Sequence, residues 1–132
     1  MPTGFSDYLA NKVITHVFGG VNFTPPTNFY VALFTTAPGL NGSGGVEVIT
    51  GGYTRKAVTY GTVSGRMIAS NLQVEFTATG GPLGDIKAIG IYDAITDGNL
   101  LVVQEKAFGE FLENDTLRIP VGSLINSIGF VE

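Results

Sequence analysis

Three groups of side chains in this sequence are of types that can do chemistry. His16 is the sole imidazole, Glu110, Glu113 and Asp115 gather around one turn, and Asp93, Asp97 and Asn99 gather around another. As a general base, His16 would need a nucleophile and an orienting carboxylate beside it. It stands instead between Ile14 and Val17 on a helical stretch, and the chain has no Gly-x-Ser-x-Gly elbow. His16 is therefore expected to be structural or to touch a partner. Carboxylates working as a glycosidase must face each other across a sugar cleft at about 5 to 9.5 Å. Such clefts usually carry aromatic platforms, and tryptophan is absent. Both acidic groups read as solvated turns. Calcium at the second turn would call on oxygen ligands at alternate positions, a pattern that Ile95 and Thr96 interrupt. With one histidine and no cysteine, a transition-metal site within one chain lacks ligands. The glycine-rich stretch Ala37 to Gly45 lacks the lysine and the following helix of a phosphate loop. It is expected to be a mobile surface loop. No catalytic, cofactor-binding or metal-ligating residue is assigned, and the chain is expected not to be an enzyme.

The elements that would position these groups are mostly strands. Ile86 to Asp93 sets Ile86, Ala88, Gly90 and Tyr92 on one face and Lys87, Ile89, Ile91 and Asp93 on the other, so both faces are largely apolar. Asn28 to Thr35 repeats this, with Phe29, Val31 and Leu33 opposite Tyr30, Ala32 and Phe34. Leu72 to Thr77 alternates with one solvated face, Leu72, Val74 and Phe76 pointing inward. Further strands are expected over Tyr53–Tyr60, Leu100–Phe108, Thr116–Val121 and Leu124–Phe130. The one convincing helix lies over 5–18, where Phe5, Leu9, Val13 and Val17 recur every four residues and Tyr8 and Ile14 widen the stripe. Thr3 or Ser6 can cap it and Gly19-Gly20 can end it. These patterns predict a single domain over 1–132, a mainly β antiparallel sandwich or jelly roll across 28–131 with one N-terminal helix.

Composition says what such a domain is for. Charged residues are 14% of the chain against a usual level of roughly 25%, and hydrophobic residues reach 44%. A monomer so poor in charge leaves apolar surface in water, which points to a partner or a symmetric oligomer. The net charge of −4 and the scattered basic residues disfavour nucleic acid. No apolar run approaches the roughly 18 residues needed to cross a bilayer, so no membrane partner is expected and the chain should stay soluble in the cytoplasm where it is made.

Four segments carry a resemblance. YLANKVITHVFGG (Tyr8–Gly20), FYVALFTTAP (Phe29–Pro38), EVITGGYTRKAVTYG (Glu47–Gly61) and IGIYDAITDGNLL (Ile89–Leu101) resemble, in order and spacing, a family of small tailed-bacteriophage virion proteins often labelled tail fibre proteins. The chain departs from it at Leu83-Gly84, where members often carry tryptophan before the glycine. The resemblance implies a structural, non-catalytic component of a phage particle, assembled in the host cytoplasm. The chain is short, has no repetitive shaft and shows no aromatic receptor cleft. The expectation is therefore a capsid decoration (cement) protein, a homotrimer that binds the major capsid protein and stabilises the head without cofactors. A tail or tail-fibre component that contacts neighbouring tail proteins and a host receptor is the alternative. A carbohydrate-binding module or glycan hydrolase is a more distant one. The expected interface residues are Phe5, Tyr8, Leu9, Val13 and Val17 of the helix and Leu40 of the loop.

Overall fold

The computed structural model describes residues 4–127. Ten strands and one helix are assigned among them: β1 (Gly4–Phe5), α1 (Asp7–Phe18), β2 (Phe29–Thr36), β3 (Val46–Glu47), β4 (Lys56–Val58), β5 (Met67–Ala69), β6 (Val74–Thr77), β7 (Gly84–Tyr92), β8 (Leu100–Phe111), β9 (Thr116–Ile119) and β10 (Ile125–Ser127). The expected cap at Thr3 and the end of the last expected strand beyond Ser127 lie outside the described residues.

The architecture is the antiparallel β-sandwich with one helix that the pattern predicts. Its main sheet runs β1-β8-β7-β2, and the outer edge of β2 is shared by β4 along Phe29–Val31 and by β3 at Phe34 and Thr36. β2 and β7 pair from Tyr30 with Tyr92 to Phe34 with Ala88, placing the two doubly apolar strands side by side at its centre. One face of this sheet is covered by the β6–β9 ribbon, with Val31, Leu33, Ile89 and Ile91 packing against Val74, Phe76, Leu117 and Ile119. Each such side chain contributes about 1.5–3 kcal/mol when fully buried. The opposite face carries a smaller cluster of Ala32, Phe34 and Ala88, over which the rings of Phe34 and Tyr92 stack with centroids 6.3 Å apart. A Cβ at Gly90 would stand 3.0 Å from Phe34 Cε2 and from Leu100 Cδ1, so glycine is what lets the rings lie flat on this face.

Three expectations are corrected. Phe5 is not helical: it pairs with Val102 of β8, beside Gly4 with Val103, and the helix starts after Ser6. Ser6 is buried, accepts from Leu9 N at 3.1 Å and donates to Leu100 O at 2.5 Å, so the cap also rivets α1 to the sheet. Ile86 does not share a cluster with Ala88. It packs with Ile89 in the main core, because the β7–β8 register shifts between Ile86 and Ala88 and strict alternation breaks there. Leu72 is exposed and precedes β6. Asn71 N donates to Thr59 O at 3.0 Å and Asn71 Nδ2 to Tyr60 O at 3.2 Å, which anchors that residue outside the ribbon. The three short strands β1, β3 and β5 were not foreseen, since two or three residues carry no periodicity.

Candidate functional site

The helix is held to the body through its first turns. None of its residues is fully buried. Tyr8 and Leu9 in its first turns pack against the main core, and Tyr8 meets the Phe23 ring edge-on at 6.4 Å. Beyond Val13, which is half-buried, the helix leaves the body. Val17 is 62% exposed and Phe18 84% exposed, with Ile14 and Val21 open beside them. The end is closed by Gly19 N and Val21 N, which both donate to Thr15 O, at 2.9 and 3.3 Å. His16 is exposed and its Nδ1 accepts from Phe23 N at 3.2 Å, so it folds the following segment back against the helix.

The expected interface residues therefore do not form one patch. Phe5 lies in β1, Tyr8 and Leu9 turn inward, Val13 is intermediate, and Val17 faces solvent. Leu40 lies beside Tyr8 and away from the exposed end of the stripe, because the loop around it folds onto the helix start. Leu40 O accepts from Asp7 N at 2.8 Å. The loop around Leu40 contains an internally bonded turn. Gly39 N donates to Ser43 O at 2.8 Å, Asn41 Oδ1 accepts from Ser43 N at 3.1 Å, and Pro38 is fully buried. The exposed Ile14, Phe18 and Val21 were missed as surface. Periodicity marks an apolar stripe but not how far along it cover extends.

The acidic turns hold themselves closed. Asp93 accepts from Asn99 N at 2.7 Å and from Asn99 Nδ2 at 3.0 Å, and Asp97 and Gly98 take positive φ to make the bend. Asp115 accepts from Leu112 N at 2.8 Å. Among the described residues no group of three or more acidic, histidine or cysteine side chains is placed to hold a metal ion.

Behind the Asp93–Asn99 turn lies a polar knot that the sequence does not announce. Arg55, 8% exposed, donates from Nε and Nη2 to the two oxygens of Glu47 at 2.9 and 3.0 Å. Its Nη1 donates to Ala94 O and Asp97 O at 2.9 and 2.7 Å, and its guanidinium lies 3.8 Å from the Tyr92 ring centre. Tyr53 donates to Glu47 Oε2 at 2.6 Å and accepts from Leu33 N at 3.1 Å. Burial works to raise the Glu47 pKa, but the bonds from Arg55 and Tyr53 outweigh it and hold the carboxyl below its ordinary range. Burial first, and the bond to Glu47 second, push the Tyr53 phenol well up. The knot thus ties β3, the segment before β4 and the turn after β7 together.

Through these contacts the start of α1, the Gly39–Ser43 turn and the Asp93–Asn99 turn meet around a cleft of about 230 Å³. It is lined by Tyr8, Asn41, Tyr92 and Asn99, with Leu40 and Leu100 beside them. No helix among the described residues is long and apolar enough to cross a membrane.

No curated protein matches the chain. A family model described as Podophage GP4 fiber I protein gp80 matches residues 4–127, which takes in every strand from β1 to β10 and bears out the phage virion resemblance of the four segments. The match spans the whole sandwich together with its protruding helix, and the chain belongs to the podophage GP4 fiber I protein gp80 family of phage structural proteins.

Proposed function

We propose that this chain is a non-catalytic building block of a phage tail fibre, held to neighbouring virion proteins through the open end of α1. The observation that carries the reading is the exposure of Val17 and Phe18, with Ile14 and Val21, on a chain of a fibre family. Large apolar side chains clustered in water are favourable only when a partner covers them. The family description supports the fibre position over the capsid-decoration expectation, for which no feature of the fold speaks separately. A homo-oligomer, a trimer among the choices, would bury the same patch against copies of itself. Contact with other tail proteins would bury it once.

The test is substitution of Val17 and Phe18 by Asp. Both residues are exposed, so the double variant should fold with an unchanged thermal midpoint while dropping out of assembled particles. Immunogold label on wild-type particles should decorate the tail. Label confined to the head, or full incorporation of the double variant, would overturn the reading.

A further inference from the structure

Asn41 is the one asparagine of the chain that precedes a glycine, and both residues are exposed. The pairing matters because an asparagine side chain can be attacked at Cγ by the backbone nitrogen of the next residue, and a Cβ on that residue crowds the approach. Gly42 has no Cβ, takes φ +83° and has open space where one would stand. The electrophile is also polarised. Asn41 Oδ1 accepts from Ser43 N at 3.1 Å and from Ser43 Oγ at 2.9 Å. Two donors on one carbonyl oxygen draw electrons from Cγ and stand ready for the negative charge that oxygen takes up when a nucleophile adds. The nucleophile is restrained, since Gly42 N donates to Gly39 O at 2.9 Å. That single bond lies in an exposed turn and opens without disturbing the sheet. Asp97-Gly98, the chain's Asp-Gly counterpart, differs on each point. Arg55 Nη1 holds the Asp97 carbonyl at 2.7 Å, and a Cβ at Gly98 would stand 2.6 Å from Asp93 Oδ1, so the backbone there is pinned and crowded.

We propose that Asn41 is a site of spontaneous deamidation whose isoaspartyl product unfastens the Gly39–Ser43 turn from the helix start. Gly42 N gives its proton to solvent and bonds to Asn41 Cγ. The Cγ–Nδ2 bond breaks, Nδ2 takes a proton from water and leaves as ammonia, and a succinimide ring remains. Water then opens the ring at one of its two carbonyls. Opening at Cγ gives aspartate, and opening at the backbone carbonyl gives isoaspartate, in which the main chain runs through Cγ. The net change is one water consumed and one ammonia released, with no oxidant or reductant. Aspartate retains an acceptor for Ser43 and the original backbone spacing. Isoaspartate adds a methylene to the main chain, so the bonds from Gly42 N to Gly39 O and from Gly39 N to Ser43 O cannot both survive. Leu40 O, which accepts from Asp7 N at 2.8 Å, lies inside that ring of bonds and is displaced with it. The turn thus ages in a way the sheet does not, wherever in the virion the chain sits.

The experiment is prolonged incubation of the full chain in mildly alkaline buffer, followed by peptide mass spectrometry. The conversion of amide to acid should appear at Asn41 ahead of every other asparagine, with isoaspartate among the products. Hydrogen exchange at the Asp7 amide should be faster in aged protein than in fresh, and equal in aged and fresh Asn41→Gln. Ser43→Ala removes one of the two donors to Oδ1 and should slow the reaction by about two- to tenfold. The wild-type chain alone locates the reaction, so that part of the test does not depend on a variant folding. No conversion at Asn41, earlier conversion at another asparagine, unchanged Asp7 exchange in isoaspartyl protein, or an undiminished rate in Ser43→Ala would overturn the proposal.

Discussion

Two Arg–Glu pairs of identical reach sit in different surroundings. Arg55 meets Glu47 at 2.9 Å on the outer edge of β2, and Arg118 meets Glu75 at 2.9 Å across the β6–β9 ribbon. The first pair is withdrawn from water, with side-chain exposures of 8% and 27%, whereas the second stands at 61% and 44%. Arg55 also holds two backbone carbonyls and the Tyr92 ring. Arg118 has the Glu75 carboxylate alone among its hydrogen-bond partners in the described residues. The difference teaches that the ion pair as such is not what stabilises this fold. Withdrawal from water raises the strength of the attraction and also the penalty for leaving either partner unmatched.

The comparison breaks first at Arg55. Replacing it by Ala strands the Glu47 carboxylate, unpins Ala94 and Asp97, and uncovers Tyr92, for an expected loss of about 3–5 kcal/mol. Thermal denaturation should show a midpoint lowered on the order of 10 °C. A shift no larger than that of the exposed pair would mean that water already reaches the knot.

Acidity sharpens it. Because the folded-state pKa of Glu47 lies below its ordinary value of 4.5, its contribution is complete above that pH and fades as pH falls through the folded value. Glu47→Gln should therefore cost about 1–3 kcal/mol near neutrality. The gap between the two melting curves should close as the solution is taken below pH 4.5. A gap that persists in acid would assign the loss to shape rather than to charge.

The smallest effect belongs to the ribbon. Arg118→Ala should change stability by less than about 1 kcal/mol, and the change should vanish in high salt. The same denaturation series measures it. A loss matching that of Arg55→Ala would remove the distinction altogether.

The two strands at the centre of the sheet were legible because their signal is local. FYVALFTT and GDIKAIGIY are apolar on both faces, and only a strand covered on both sides satisfies that. The helix was legible over Asp7–Phe18 for the same reason, with Ser6 before it and Gly19 after it. Its cover was not. Tyr8 and Val17 belong to one stripe, yet the first packs on the core and the second stands in water, since the sheet beneath reaches only the first turns. The Arg55-Lys56 pair was visible as two positive charges, but its meaning required Glu47 and the carbonyls of Ala94 and Asp97 to arrive from elsewhere in the chain.

By itself, then, the sequence determined the β-rich class, the central strands, the helix and the shortage of charge that speaks for partners. Each follows from the type and spacing of neighbouring residues. Tertiary structure alone decided which end of the helix stays open, that Arg55 is an internal lock, and that Tyr8, Asn41, Tyr92 and Asn99 line one cleft. Those outcomes depend on contacts between segments far apart in the chain, and periodicity carries no information about which distant backbone will close over a given side chain.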